Sequence, residues 1–225
     1  MTMGTRRPVA AFFDLDNTLI HGSSLFYFVR GIAQEGMVKQ KQLFRFAYEN
    51  LRFKRSKTEN PNAMNIAAER LLGFVQGRSQ IHLQGMCDRL VDLIIARKAI
   101  PQMLERVAEH QALRHDTWVV SAAPIEIADA VARKLNMRGA FGTRGAVEDG
   151  LYTGTLASET MHGTKKMHAI LEAAQTYNYD LQKSFAYSDS ISDLPMLSSV
   201  GRPAVINASK SLETIAVKNK WLILT

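Results

Sequence analysis

The stretch VAAFFDLDNTLI, residues 9–20, sets two carboxylates, Asp14 and Asp16, at the end of an unbroken apolar run. Apolar residues without alternation read as a strand buried on both faces, the pattern of a parallel sheet. A buried charge with no partner is expensive. A fold built on this strand must therefore supply positive charge where the strand ends.

The rest of the chain shows what surrounds it. From about Ser23 to Ala96 apolar residues recur at helical spacing, as in Leu25, Phe28, Val29 and Ile32, and again in Leu83, Met86, Leu90, Leu93 and Ile94. A polar break, SKTENPN (56–62), interrupts them. Pro101 suits the first turn of a helix. Beyond it strands and helices alternate: TWVVS (117–121) as strand, PIEIADAVARKL (124–135) as helix, KKMHAILEAAQTY (165–177) as helix, SFAYSD (184–189) as strand, and DLPMLSSVG (193–201) as a short helix. PAVIN (203–207) and WLILT (221–225) read as strands around a helix near 209–218. Asp149-Gly150 between two alternating runs (146–156) signals a hairpin. The expected class is α/β: a Rossmann-like, doubly wound parallel sheet, residues 1–21 and 97–225, with helices 22–96 inserted after the first strand as a cap. In such sheets ligands bind at the carboxyl ends of the strands, where Asp14, Ser121 and Asp189 are all expected.

Composition narrows the class. The 225 residues are 46% hydrophobic and 22% charged, an ordinary globular balance, and no apolar run suits a membrane span. No signal peptide is read at the N-terminus. The single cysteine, Cys87, excludes an internal disulfide, fits a reducing compartment and reads as a small core residue; a cytoplasmic location is expected. The net charge is +7, and +5 of it lies within residues 22–96, where eleven basic residues face six acidic ones. That excess suits an anionic substrate or a solvated basic face. The basic run RFKRSK (52–57) reads as solvated, and the aromatics Phe26, Phe28, Phe44, Phe46, Tyr48 and Phe53 read mainly as packing within the insertion.

Three carboxylates in one crevice, Asp14, Asp16 and Asp189, raise one another's pKa unless a cation intervenes. Ligands that are all oxygen suit Mg²⁺, which commonly bridges to phosphate; the histidines lack zinc spacing. Ser121, followed by Ala122, Ala123, Pro124 and a helix, offers a hydroxyl and free backbone N–H groups, a phosphate cradle. A lysine from GTKK (163–166) adds positive charge.

DLDNTL (14–19), VVSAAP (119–124), HGTKK (162–166) and YSDSISDLPML (187–197) resemble, in order, the four motifs of the haloacid dehalogenase-like hydrolases. The resemblance spans the chain and places 22–96 as the helical, C1-type cap of the branch that includes phosphoserine phosphatases. It implies a Mg²⁺-dependent phosphomonoesterase with Asp14 as nucleophile and Asp16 as general acid and base. Ser121 and Ala122 would bind phosphate. Mg²⁺ would be held by Asp14, the carbonyl of Asp16, and Asp189, with Asp193 supporting them. Lys166, followed by an apolar residue and with Ile170 four positions on, fits the family's lysine better than Lys165 does. Ser188 stands where the family usually has glycine. Ser23 stands nine residues after Asp14, where phosphoserine phosphatases resemble one another in having a glutamate that reads the substrate ammonium. The resemblance therefore implies a small phosphorylated metabolite other than phosphoserine, with Ser23 facing it. Two other readings follow from the same residues: phosphoryl transfer to another acceptor, and a non-catalytic nucleic-acid-binding or regulatory protein using its basic insertion. The intact carboxylate set argues against the second. The sequence does not name the oligomeric state.

Overall fold

A computed structural model describes residues 7–36 and 61–224. The run around Phe12 forms β1 (Ala10–Phe13), every residue of it fully buried. Ala10 and Phe12 point into one apolar cluster and Ala11 and Phe13 into another. That explains why the strand is apolar at every position rather than at alternate ones. Truncating Phe12 to alanine would cost about 3–5 kcal/mol.

The remaining strands are β2 (Asp116–Pro124), β3 (Gly139–Thr143), β6 (Phe185–Ser188), β7 (Arg202–Ile206) and β8 (Leu222–Leu224). With β1 they make a six-stranded sheet in the order β3-β2-β1-β6-β7-β8, parallel at every pairing. The order reverses at β1: the chain builds outward through β2 and β3, then returns to β1's other edge to lay down β6. This is the switch point at which open parallel sheets form a crevice. Asp14 and Asp189 leave the sheet on either side of it.

β3 is an edge strand that the apolar pattern does not announce. It is built of GAFGT because its neighbours leave no room. A Cβ on Gly142 would lie 2.8 Å from the Cα of Ile125, and one on Gly139 would lie 3.0 Å from the Trp118 ring. The hairpin, β4 (Gly145–Glu148) and β5 (Leu151–Leu156), turns through Asp149 and Gly150, both at positive φ, as a type I′ turn requires.

Helices flank both faces. The helical insertion contains α1 (Ser24–Gln34), α2 (Pro61–Leu72) and α3 (Gln80–Lys98), and α4 (Pro101–Ala112) follows with proline in its first turn. Then come α5 (Ile125–Lys134), α6 (Thr164–Tyr177), a 3-10 turn (Ile191–Asp193), α7 (Leu194–Ser198) and α8 (Lys210–Lys218). Phe28, Val29 and Ile32 of α1 and Leu83, Met86 and Ile94 of α3 are buried in the cluster that covers Phe13. Leu93, expected on the same face, is 58% exposed: its helical phase carries it to the side of that stripe. Cys87 is buried and free. The basic run 52–57 and the aromatics Phe44, Phe46, Tyr48 and Phe53 lie outside the described residues.

The insertion is tied to the sheet where it leaves and returns. His21 N–H donates to Lys98 O at 2.7 Å and Ile100 N–H to Leu19 O at 2.9 Å. A second tie joins it to the hairpin, with Gly77 N–H donating to Tyr152 O, Tyr152 N–H to Arg78 O and Gln80 N–H to Gly150 O. Among the described residues no helix is long and apolar enough to cross a membrane.

Candidate active site

The turn after β1 brings the first motif together. The N–H groups of Thr18, Leu19 and Ile20 all donate to Leu15 O. Asn17 takes positive φ, a conformation asparagine tolerates, and its Oδ1 accepts from Gly22 N–H. The loop thus folds back over the strand end and keeps Asp14 5% exposed.

Asp14 meets the cation that its burial demands. Lys166, in the first turn of α6, is 3% exposed. Its Nζ lies 2.6 Å from Asp14 Oδ1 and 2.7 Å from Asp193 Oδ2. Lys165, one residue earlier, points away and pairs with Glu159 at 2.6 Å on the surface. Between the two lysines, helical phase decides which one enters the crevice. Thr18 Oγ1 lies 3.4 Å from Asp14 Oδ2. Ser188, in the place of the expected glycine, uses its hydroxyl: it donates to Asp193 Oδ2 at 2.7 Å. The other oxygen of that carboxylate, Asp193 Oδ1, is buried without a hydrogen-bond partner.

Burial dominates the electrostatics of the crevice. Burial raises Asp14 well above the carboxylate range; Lys166 pulls it down, while Asp193 and Asp16 push it up. Burial also pushes Asp189 up to about 6, with Asp193 adding to the rise and an Asn17 hydrogen bond opposing it. For Lys166 burial opposes the charge, but the two carboxylates beside it prevail and its pKa rises.

The other anticipated residues are placed as follows. Ser121 lies two residues beyond Val119, the β2 partner of Phe13, and is 2% exposed. Its Oγ accepts from Ala123 N–H at 3.1 Å. Ala122 O accepts from Thr143 Oγ1. Asp16 Oδ1 accepts from Ser24 N–H at 2.8 Å. Ser23 caps α1, its hydroxyl accepting from Phe26 N–H at 3.5 Å. Asn17 and Ser24 escape sequence reasoning. Asn17 in DLDNTL could have been found from its tolerance of positive φ. Ser24 acts through a backbone N–H, which leaves no trace in residue type.

A magnesium ion fits this donor set. The donors anticipated from the sequence, Asp14, Asp189 and the carbonyl of Asp16, are all oxygen, the chemistry that suits this ion, and the neighbouring Asp193 Oδ1 is buried without a hydrogen-bond partner. Among the described residues no three His, Cys, Asp or Glu side chains are grouped as a metal cluster; the set rests on two carboxylates and a carbonyl.

Comparison with known proteins gives the family. The model of the haloacid dehalogenase-like hydrolases matches residues 11–198, and the chain belongs to that family of enzymes. It is 37% identical over 214 residues to phosphoserine phosphatase SerB1 of Mycobacterium tuberculosis, covering 95% of this chain and 70% of the relative. A protein of unknown function from Bordetella pertussis Tohama I superposes with a TM-score of 0.83 at 23% identity, covering 98% of this chain and 99% of that one. A phospho-aspartyl intermediate analogue of phosphoserine phosphatase superposes with a TM-score of 0.64 at 18% identity, covering 97% and 93%. These two structural likenesses speak to the fold.

Proposed function

We propose that the protein is a phosphatase that hydrolyses a small phosphorylated metabolite through a phospho-aspartate on Asp14. The observation that carries this reading is the buried Lys166 ammonium held between Asp14 and Asp193 at the switch point of the sheet. A carboxylate can attack a phosphate dianion only where the charge of both is offset.

The residues divide the work. Asp14 attacks phosphorus; the bond to the leaving oxygen breaks and that oxygen takes a proton from Asp16. Asp16 then removes a proton from the water that attacks the phosphoryl group on Asp14, releasing phosphate and restoring the carboxylate. Ser121 and the backbone N–H groups at the start of α5 hold phosphoryl oxygens. Lys166 offsets charge on Asp14, and Asp193, fixed by Ser188, orients Lys166. Asp14, Asp189 and the carbonyl of Asp16 would hold Mg²⁺, which when bound would neutralise charge on the phosphate. The insertion, residues 22–96, acts as a cap that shields the crevice and selects the alcohol.

The name phosphoserine phosphatase belongs to the M. tuberculosis relative. In this chain Ser23 is a neutral hydroxyl engaged in capping α1, and it offers an ammonium no anionic partner. Phosphoserine is therefore not the favoured substrate. Phosphate release from a panel of phosphomonoesters, phosphoserine among them, with and without Mg²⁺, tests the reading. Wild type should turn over at least one ester only with metal, and Asp14→Asn none. Full activity in Asp14→Asn, or no turnover of any ester by wild type, would overturn it.

A further inference from the structure

Thr143 closes the edge strand β3 and is buried. Its hydroxyl makes one contact as donor and one as acceptor. Oγ1 donates to Ala122 O at 2.8 Å and accepts from Met161 N–H at 3.1 Å. Ala122 O belongs to the same peptide unit as Ala123 N–H, and in a planar trans peptide the two point opposite ways. On that other side Ala123 N–H donates to Ser121 Oγ at 3.1 Å. Gripping the carbonyl therefore fixes the plane whose N–H meets the Ser121 hydroxyl. The glycine before Thr143 lets the strand come this close: a Cβ on Gly142 would lie 3.1 Å from Ala123 O. The second contact leads towards the lysine. Two residues after Met161, Gly163 O accepts from Lys166 N–H at 3.2 Å. Thr160, just before Met161, is held by the insertion: its N–H and Oγ1 both donate to Asn65 Oδ1 of α2, at 3.1 and 3.0 Å. One hydroxyl thus joins the turn after β2, which carries Ser121, to the loop that leads into α6, which carries Lys166.

We infer that Thr143 is a positioning residue for phosphate binding: its hydroxyl sets the Ala122–Ala123 peptide that orients Ser121, and ties that peptide to the loop leading to Lys166. This rests on the phosphatase reading given above. A serine hydroxyl that accepts from Ala123 N–H still carries a proton, and a charged phosphoryl oxygen needs a donor. Thr143 acts through the backbone of two loops rather than by touching phosphate itself. Valine in its place would fill the same space and supply neither contact. Ala122 O and Met161 N–H would then have to turn towards other partners, because buried backbone groups do not stay unpaired. Turning the Ala122–Ala123 peptide carries Ala123 N–H away from Ser121 Oγ.

Inorganic phosphate, the product common to every ester, is the probe, used as a competitive inhibitor of the most active ester of the panel. Thr143→Val should raise its inhibition constant, and KM for the ester, about tenfold, the loss of one aligned hydrogen bond to a charged group. Thr143→Ser, which keeps the hydroxyl, should hold both constants within about twofold of wild type. A residue that served folding alone would lower kcat, through the amount of active enzyme, and leave both constants where they are. Should valine disturb folding, Thr143→Cys, a small side chain with a weak S–H donor, should raise the two constants in the same direction. An unchanged inhibition constant in Thr143→Val, or in Thr143→Cys where valine does not fold, would overturn the inference and leave the phosphatase reading intact. So would a rise in Thr143→Ser as large as that in Thr143→Val. Turnover of no ester by wild type would overturn both.

Discussion

Lys166 Nζ reaches Asp14 Oδ1 at 2.6 Å across 152 residues of sequence, and both side chains are buried. The contact joins the first strand to the start of α6 and answers the liability visible in the sequence: a carboxylate at the end of an apolar strand has a buried cation waiting for it. The same ammonium also holds Asp193, so one side chain ties the end of β1 to the 3-10 turn that follows β6.

Lys166→Met should therefore lose activity and stability together. Removing the cation leaves two buried carboxylates facing each other, which costs about 3–5 kcal/mol. The loss of charge stabilisation should lower kcat by about 10²–10³. Lys165→Ala removes an exposed pair with Glu159 and should change stability by less than about 1 kcal/mol, with turnover unaffected. Urea denaturation and steady-state kinetics on the two variants check this.

Metal should act on stability as well as on rate. Mg²⁺ at about 100 times its dissociation constant should stabilise the fold by about 2.7 kcal/mol, seen as a rise in Tm. Asp189→Asn should blunt that rise, and chelation should abolish turnover in wild type. A Tm indifferent to Mg²⁺ in both proteins would count against the assigned ligands.

How far the sequence carried the fold depends on burial. β1, β2, β6 and β7 could be read because strands buried on both faces are apolar throughout. β3 could not, because close packing of Ile125 and Trp118 forces glycine where a strand would normally show its side chains. Leu93 misled because five apolar residues in α3 suggested one stripe and helical phase admits four. In the site, Asp14 and a lysine from 163–166 were anticipated from chain position, and the structure brings Asp14 and Lys166 into contact. The link from Ser24 to Asp16 was not, because it is made by a backbone N–H. Nor was the work of Ser188, a small residue whose hydroxyl proves to donate to Asp193.

Behind the sheet, His110 is buried, with Nε2 2.8 Å from Tyr187 Oη and Nδ1 2.9 Å from His115 Nδ1. Burial, with His115 adding to it and Glu109 opposing, lowers its pKa to about 4. The unfolded chain binds the proton near 6.5, so the folded state holds its advantage above that pH and loses it as pH falls from 6.5 towards 4. Across that window wild type should lose on the order of 3 kcal/mol through this group. His110→Gln should be less sensitive by about that amount, as urea midpoints at pH 7 and pH 4.5 would show.

Glu126 gives the opposite sign. Burial raises its pKa, and Tyr152 Oη donates to its Oε1 at 2.5 Å. A raised carboxyl favours the folded state below its unfolded pKa and loses that favour as pH rises through the folded one. Tyr152→Phe removes the donor that eases ionisation. It should destabilise by about 1–3 kcal/mol, and more at pH 8 than at pH 5. Equal losses at both pH values would contradict this.

The proposed chemistry turns on Asp14 carrying a phosphoryl group. Enzyme quenched during turnover and reduced with borohydride converts an aspartyl phosphate to homoserine, which peptide mass spectrometry locates. Homoserine at position 14, absent without substrate, is the expected result. Steady release of phosphate with Asp14 unmodified, or homoserine at another aspartate, would contradict it.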